Sequence, residues 1–95
     1  MFVVREIFVA KPGQAGKLAK LCKKGMPEMK VMTDYMGDFN TVVIEQEVAT
    51  LAEWEKMMED MRAGKGPKMD PAVEEEFKHY TDMYLTGRRE VWRIH

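Results

Sequence analysis

The run Phe2-Val3-Val4-Arg5-Glu6-Ile7-Phe8-Val9-Ala10 constrains the fold more than any other feature of the chain. It is β-branched and aromatic, about nine residues long, and reads as a strand. Alternation puts Val3, Arg5, Ile7 and Val9 on one face and Phe2, Val4, Glu6, Phe8 and Ala10 on the other. Both faces are apolar, which marks a central strand covered on both sides. Each row carries a single charge, and an unpartnered charge in such a row is costly.

The remaining elements follow from periodicity and punctuation. Lys11-Pro12-Gly13 is a turn. From Gln14 to about Met26, Ala15, Leu18, Cys22 and Met26 recur at helical spacing, and Gly25 and Pro27 end the helix. Glu28 to Met36 reads as a weaker strand, Gly37-Asp38 as a hairpin turn, and Phe39 to Val48 as a third strand. Thr50-Leu51-Ala52-Glu53 spells a capping box, opening a helix to about Arg62 with Leu51, Trp54, Met57, Met58 and Met61 as its stripe. Gly64-Lys65-Gly66-Pro67 is a connector. Asp70-Pro71 starts another helix, with Val73, Phe77, Tyr80 and Tyr84 in register, until Gly87 breaks the pattern. Arg88 to His95 closes the chain as a strand.

Ninety-five residues make one domain, residues 1–95. A chain of this length buries only somewhat over roughly 60% of its unfolded surface. Its one cysteine, Cys22, offers no disulfide framework, so association between copies is a natural source of further burial. A lone cysteine fits a reducing compartment, and a cytoplasmic location is expected. No charged segment followed by an apolar run suggests a signal peptide, and no stretch approaches a membrane span. The net charge of −1 gives no basic excess for nucleic acid. Ten methionines suit core filling, and equally a pocket or an adaptable seam.

The order strand, helix, strand, strand, helix, helix, strand describes an α+β chain. It is a ferredoxin-like βαββαβ unit with an extra helix before the last strand and a four-stranded antiparallel sheet. Right-handed crossovers place the helical segments on one face. The other apolar face needs a cover, and a second copy of the same sheet is the simplest one.

The long first strand, the stretch Gly37-Asp38-Phe39-Asn40-Thr41-Val42-Val43-Ile44-Glu45 and the start Leu51-Ala52-Glu53-Trp54-Glu55 resemble the dimeric α/β-barrel superfamily. That superfamily includes the antibiotic-biosynthesis-type monooxygenases, the NIPSNAP-like proteins and the haem-degrading monooxygenases. The extra helix before Arg89-Glu90-Val91-Trp92 is most similar to the NIPSNAP-like branch. The resemblance spans nearly the whole chain and implies a homodimeric barrel, with a cavity in each subunit between sheet and helices.

Several chemistries find little support. His79 and His95 are the only histidines and no short ligand spacing exists, so no metal is expected. Cys22 sits on an apolar helix stripe, where an inert thiol is the usual occupant. The chain has no serine, which excludes a serine hydrolase. Gly64-Lys65-Gly66-Pro67 lacks the context of a phosphate loop. The third strand lacks the stacking aromatics of an RNA-binding sheet. The haem-degrading relatives use an Asn, a Trp and a His; the first strand has no Asn, and Trp54 and His79 stand far apart, so no haem or other cofactor is expected.

The remaining expectation is a pocket lined by Tyr35, Trp54, Met58, Phe77 and Tyr80, with Arg5, Glu6 and Glu45 as candidate catalytic groups. It would take a small apolar or aromatic molecule, either as a cofactor-independent monooxygenase-like enzyme or as a non-catalytic binding or interaction domain. In the first case Arg5 would hold a carboxylate or enolate oxygen and a desolvated glutamate would act as base. The same residues also describe a plain core with salt-bridged strand positions.

Overall fold

The computed structural model describes residues 1–95. Strand β1 (Phe2–Ala10) is followed by α1 (Ala15–Gly25), β2 (Lys30–Thr33), β3 (Thr41–Val48), α2 (Leu51–Arg62), α3 (Pro71–Phe77), a 3₁₀ turn (Tyr80–Met83) and β4 (Tyr84–Arg93). The sheet order is β2-β3-β1-β4, with every neighbouring pair antiparallel. This is the ferredoxin-like arrangement expected from the element order.

β1 is central, as its two-sided apolar pattern requires. Phe2 pairs with Val48 on one side and Arg93 on the other, and Phe8 pairs with Val42 and Gly87. The helical face of the sheet holds the core. Ala10, Val42 and Ile44 pack with Leu18 and Cys22 of α1, flanked by Phe8, Met26, Val31, Tyr80 and Tyr84. Leu18 and Val42 are fully enclosed, so a truncation at either removes contacts the rest of the core cannot replace.

Helix starts obey local chemistry. The Thr50 hydroxyl accepts from Glu53 N at 3.2 Å while the Glu53 carboxylate accepts from Thr50 N at 3.4 Å, closing the capping box. The Asp70 carboxylate accepts from Ala72 N at 2.8 Å, with Pro71 at the first helical position.

Four elements, β2, β3, α3 and β4, differ in extent from the sequence expectation. β2 spans only Lys30–Thr33, because the Asp34 carboxylate turns the chain by accepting from Phe39 N and Thr41 N at 2.7 and 2.9 Å. The β2–β3 connection is therefore a seven-residue loop, 34–40, in place of a Gly37-Asp38 turn. Phe39 and Asn40 adopt positive φ and cannot belong to β3. At the other end of the chain the stripe Val73, Phe77, Tyr80, Tyr84 is not one helix. α3 stops at Phe77, and β4 begins at Tyr84, four positions earlier than expected, because β1 offers pairing partners as far as Ala10.

Candidate functional site

Pairing register divides the candidate residues between the two sheet faces. Glu6 lies opposite Ile44 and Arg89, on the face that carries the helices. Arg5 lies opposite Glu45 and Glu90, on the open face. Adjacent strand residues point to opposite sides, so Arg5 and Glu6 serve different surfaces.

On the helical face, Arg89 Nε donates to Glu6 Oε1 at 2.5 Å. The Arg89 guanidinium carbon also lies 4.8 Å from the ring centroid of Trp54, a cation–π stack joining β4 to α2. Trp54 Nε1 is buried and has no acceptor, which is uncommon for an indole N–H. Beside this cluster a cleft of ≈ 480 Å³ runs along β4, walled by Phe8, Tyr80, Tyr84 and Gly87 and ending at Glu6 and Arg89. It is an open groove on the surface, not an enclosed cavity.

An aromatic ladder forms the wall. Ring centroids of Phe77 and Tyr80 are 6.1 Å apart, those of Tyr80 and Tyr84 5.7 Å, and those of Tyr84 and Phe8 4.7 Å, all tilted. Gly87 lets β4 approach the last of these rings: a Cβ there would sit 3.1 Å from Phe8. Burial pushes the Tyr80 phenol above its ordinary pKa, and the neighbouring Tyr84 and Glu6 push it the same way. Tyr80 therefore keeps its proton and stays a hydrogen-bond donor at the cleft wall.

The open face carries a different network. Arg5 Nε donates to Glu45 Oε1 at 2.7 Å, and Lys30 Nζ lies 3.6 Å from Glu45 Oε2. Its hydrogen bond to Arg5 holds the Glu45 carboxyl below the usual carboxylate range. Arg88 and Trp92 both donate to Glu90. Around these polar groups stand Val3, Ile7, Val9, Met32 and Val43, with Trp92 54% exposed.

The structure thus places Glu6 and Tyr80 on the cleft, with Trp54 behind Arg89, and leaves the other candidates elsewhere. Phe77 packs its ring on Gly25 of α1 and reaches the cleft only through Tyr80. Met58 is half-buried on α2. Tyr35 is 96% exposed on the 34–40 loop, well outside any pocket between sheet and helices. Arg5 and Glu45 pair on the far side of the sheet. Sequence reasoning missed Arg89, Tyr84 and Phe8. The signal for Arg89 was present: a lone glutamate in the apolar row of a central strand requires a cation from a neighbouring strand, and the last strand is rich in arginine.

No protein-family model matches the sequence, and no curated protein does. Solved structures do match in fold. An uncharacterized NIPSNAP domain protein from Burkholderia xenovorans superposes with a TM-score of 0.75 at 14% identity, covering 100% of this chain and 95% of that one. A NIPSNAP-like domain protein from the same organism gives 0.77 at 12% identity, over 99% and 84% of the two chains. A NIPSNAP family protein from Agrobacterium tumefaciens gives 0.76 at 10% identity, over 99% and 85%. Across its full length, this chain has the fold of the NIPSNAP-domain proteins.

Proposed function

We propose that the protein is a homodimeric α/β-barrel protein that binds a small apolar or aromatic molecule in the cleft between sheet and helical segments of each subunit. The observation that carries this reading is the Glu6–Arg89–Trp54 cluster at the end of an aromatic-walled cleft. Aromatic walls supply apolar area, and a few convergent polar groups orient what is bound. The unmet Trp54 donor belongs to the same cluster. In a catalytic form of this reading, cofactor-independent and monooxygenase-like, Glu6 accepts a proton from the bound molecule and Arg89 holds the oxyanion that forms. The dimer is supported by the sheet face that carries no helix, where Met32 and Trp92 stand 37% and 54% exposed.

Titration with 2-naphthol, followed by amide NMR, tests the cleft. Shifts confined to Phe8, Tyr80, Tyr84, Gly87 and Arg89 are expected. Unchanged spectra at millimolar probe would sink the binding reading. Sedimentation showing only lone subunits at micromolar concentration would sink the dimer.

A further inference from the structure

On the sheet face that carries no helix, four charged side chains stand in one row across all four strands. Lys30 of β2 pairs in register with Glu45 of β3, Glu45 with Arg5 of β1, and Arg5 with Glu90 of β4. Residues opposite one another in an antiparallel pair point to the same side. Read from the β2 edge to the β4 edge, the row therefore runs plus, minus, plus, minus. Such a row is complementary to itself only when turned end for end. Laid on a copy without reversal, it sets like charge on like.

We infer that two copies of this face pack about a two-fold axis running along the strands between β1 and β3, with the charged row of one chain laid reversed on that of the other. The packing rests on the dimer reading above and fixes which surface of one chain meets which of its partner. This axis sets β2 over the partner's β4 and β3 over the partner's β1, and keeps each row at its own level. Lys30 then faces the partner's Glu90, and Glu45 faces the partner's Arg5. In the next row Val43 faces the partner's Ile7, an apolar contact beside the axis. A two-fold axis perpendicular to the strands does worse wherever it is placed. Passing through the row, it sets like charge on like, which is costly at an interface. Displaced one row toward Ile7, it lays Glu45 on Thr41 and Arg5 on Val9, and neither of those carries a charge.

The row has hydrogen-bonding capacity left for a partner. Arg5 Nε donates to Glu45 Oε1 at 2.7 Å, which uses only one of the guanidinium N–H groups. Glu90 accepts one hydrogen bond on each oxygen, from Trp92 at 3.1 Å and from Arg88 at 3.4 Å, and each oxygen has a further acceptor site. Lys30 Nζ stands 3.6 Å from Glu45, too far for a full hydrogen bond, and its side chain is 66% exposed. Covering the row therefore strands no charge: the central carboxylates gain a second guanidinium, and the edge lysine gains its carboxylate. Facing sheets sit roughly 30° off parallel, which displaces the edge contacts by a distance a lysine side chain spans.

Charge reversal at the sheet edges tests this packing, because Lys30 and Glu90 stand on opposite edge strands of one chain and meet only across the interface. Sedimentation equilibrium is run on the full chain, on Lys30→Glu, on Glu90→Lys and on the double variant, with circular dichroism as the check on folding. Each single variant sets like charges on one another at both edges and should weaken the dimer by about tenfold or more. The double variant restores opposite charges and should return to within about threefold of the parent. Parent and double variant should not form mixed dimers, since every edge contact in such a dimer is like on like. Should Glu90→Lys fail to fold, Lys30→Glu alone decides, its dimer being weakened or not. Single variants as tight as the parent, a double variant with no recovery, or free mixing of parent and double variant overturns this packing and leaves the dimer standing. Lone subunits for the parent at micromolar concentration overturn the dimer and the packing together.

Discussion

Arg89 grips Glu6 across the β1–β4 pair, 83 residues apart in sequence, and stacks on Trp54 with the same guanidinium. One side chain thereby ties the last strand to the central strand and to α2. α2 needs such a tie, because none of its residues is fully buried and Met57 and Met61 stay 39% and 46% exposed.

A double-mutant cycle with Glu6→Gln and Arg89→Ala measures that tie. The coupling expected for a partly solvated cross-strand ion pair is about 0.2–1 kcal/mol. Arg89→Ala should cost more than the coupling alone, because the guanidinium also covers the Trp54 ring. Trp54 fluorescence, read in a Trp92→Phe background, should shift to the red in Arg89→Ala. Unchanged emission would show that the stack does not form in solution.

Stability should fall in acid partly through Glu45. Its carboxyl is held below the ordinary value of 4.5, first by the hydrogen bond from Arg5. A carboxyl lowered in the folded state stabilises the fold above its unfolded pKa, and that contribution disappears as pH drops through the folded pKa. Denaturant unfolding of the parent chain should therefore weaken between about pH 5 and pH 3, and Glu45→Gln should flatten that slope. Arg5 is 41% exposed, so the difference is on the order of 0.2–1 kcal/mol. A parallel pH profile in the variant would contradict this account.

Cys22 should be chemically silent in the folded protein. Burial among Leu18, Val42 and Ile44 raises its thiol from 9.0 to about 11. The thiolate that attacks disulfide reagents is then scarce at pH 8. Reaction with 5,5′-dithiobis(2-nitrobenzoate) should proceed only as fast as the protein opens, and accelerate sharply in denaturant. Rapid labelling under native conditions would place the thiol at the surface.

Local signals were enough for much of the fold. The capping box at Thr50, the Asp70-Pro71 start of α3 and the α1 stripe of Leu18 and Cys22 all stand where the sequence puts them, since each depends on residues within two turns of one another. The two-sided apolar pattern of β1 likewise announced a central strand. The early start of β4 was harder to read, because Tyr84 to Gly87 fit a helical stripe as well as a strand and only pairing with β1 decides between them. The Asp34 loop was also beyond reach, as a two-residue turn and a carboxylate-held loop share the same Gly37-Asp38 text.

The sequence by itself determined the element order, the helix starts and the fact that Arg5 and Glu6 face opposite ways, because these are properties of neighbours along one chain. Only the tertiary structure decided which charge meets which. Glu6 took Arg89 and Arg5 took Glu45 because antiparallel register, set by the packing of whole strands, brings residues together that no local rule connects. The cleft exists for the same reason: its walls come from β1, the 3₁₀ turn and β4, and they meet only once the sheet has closed.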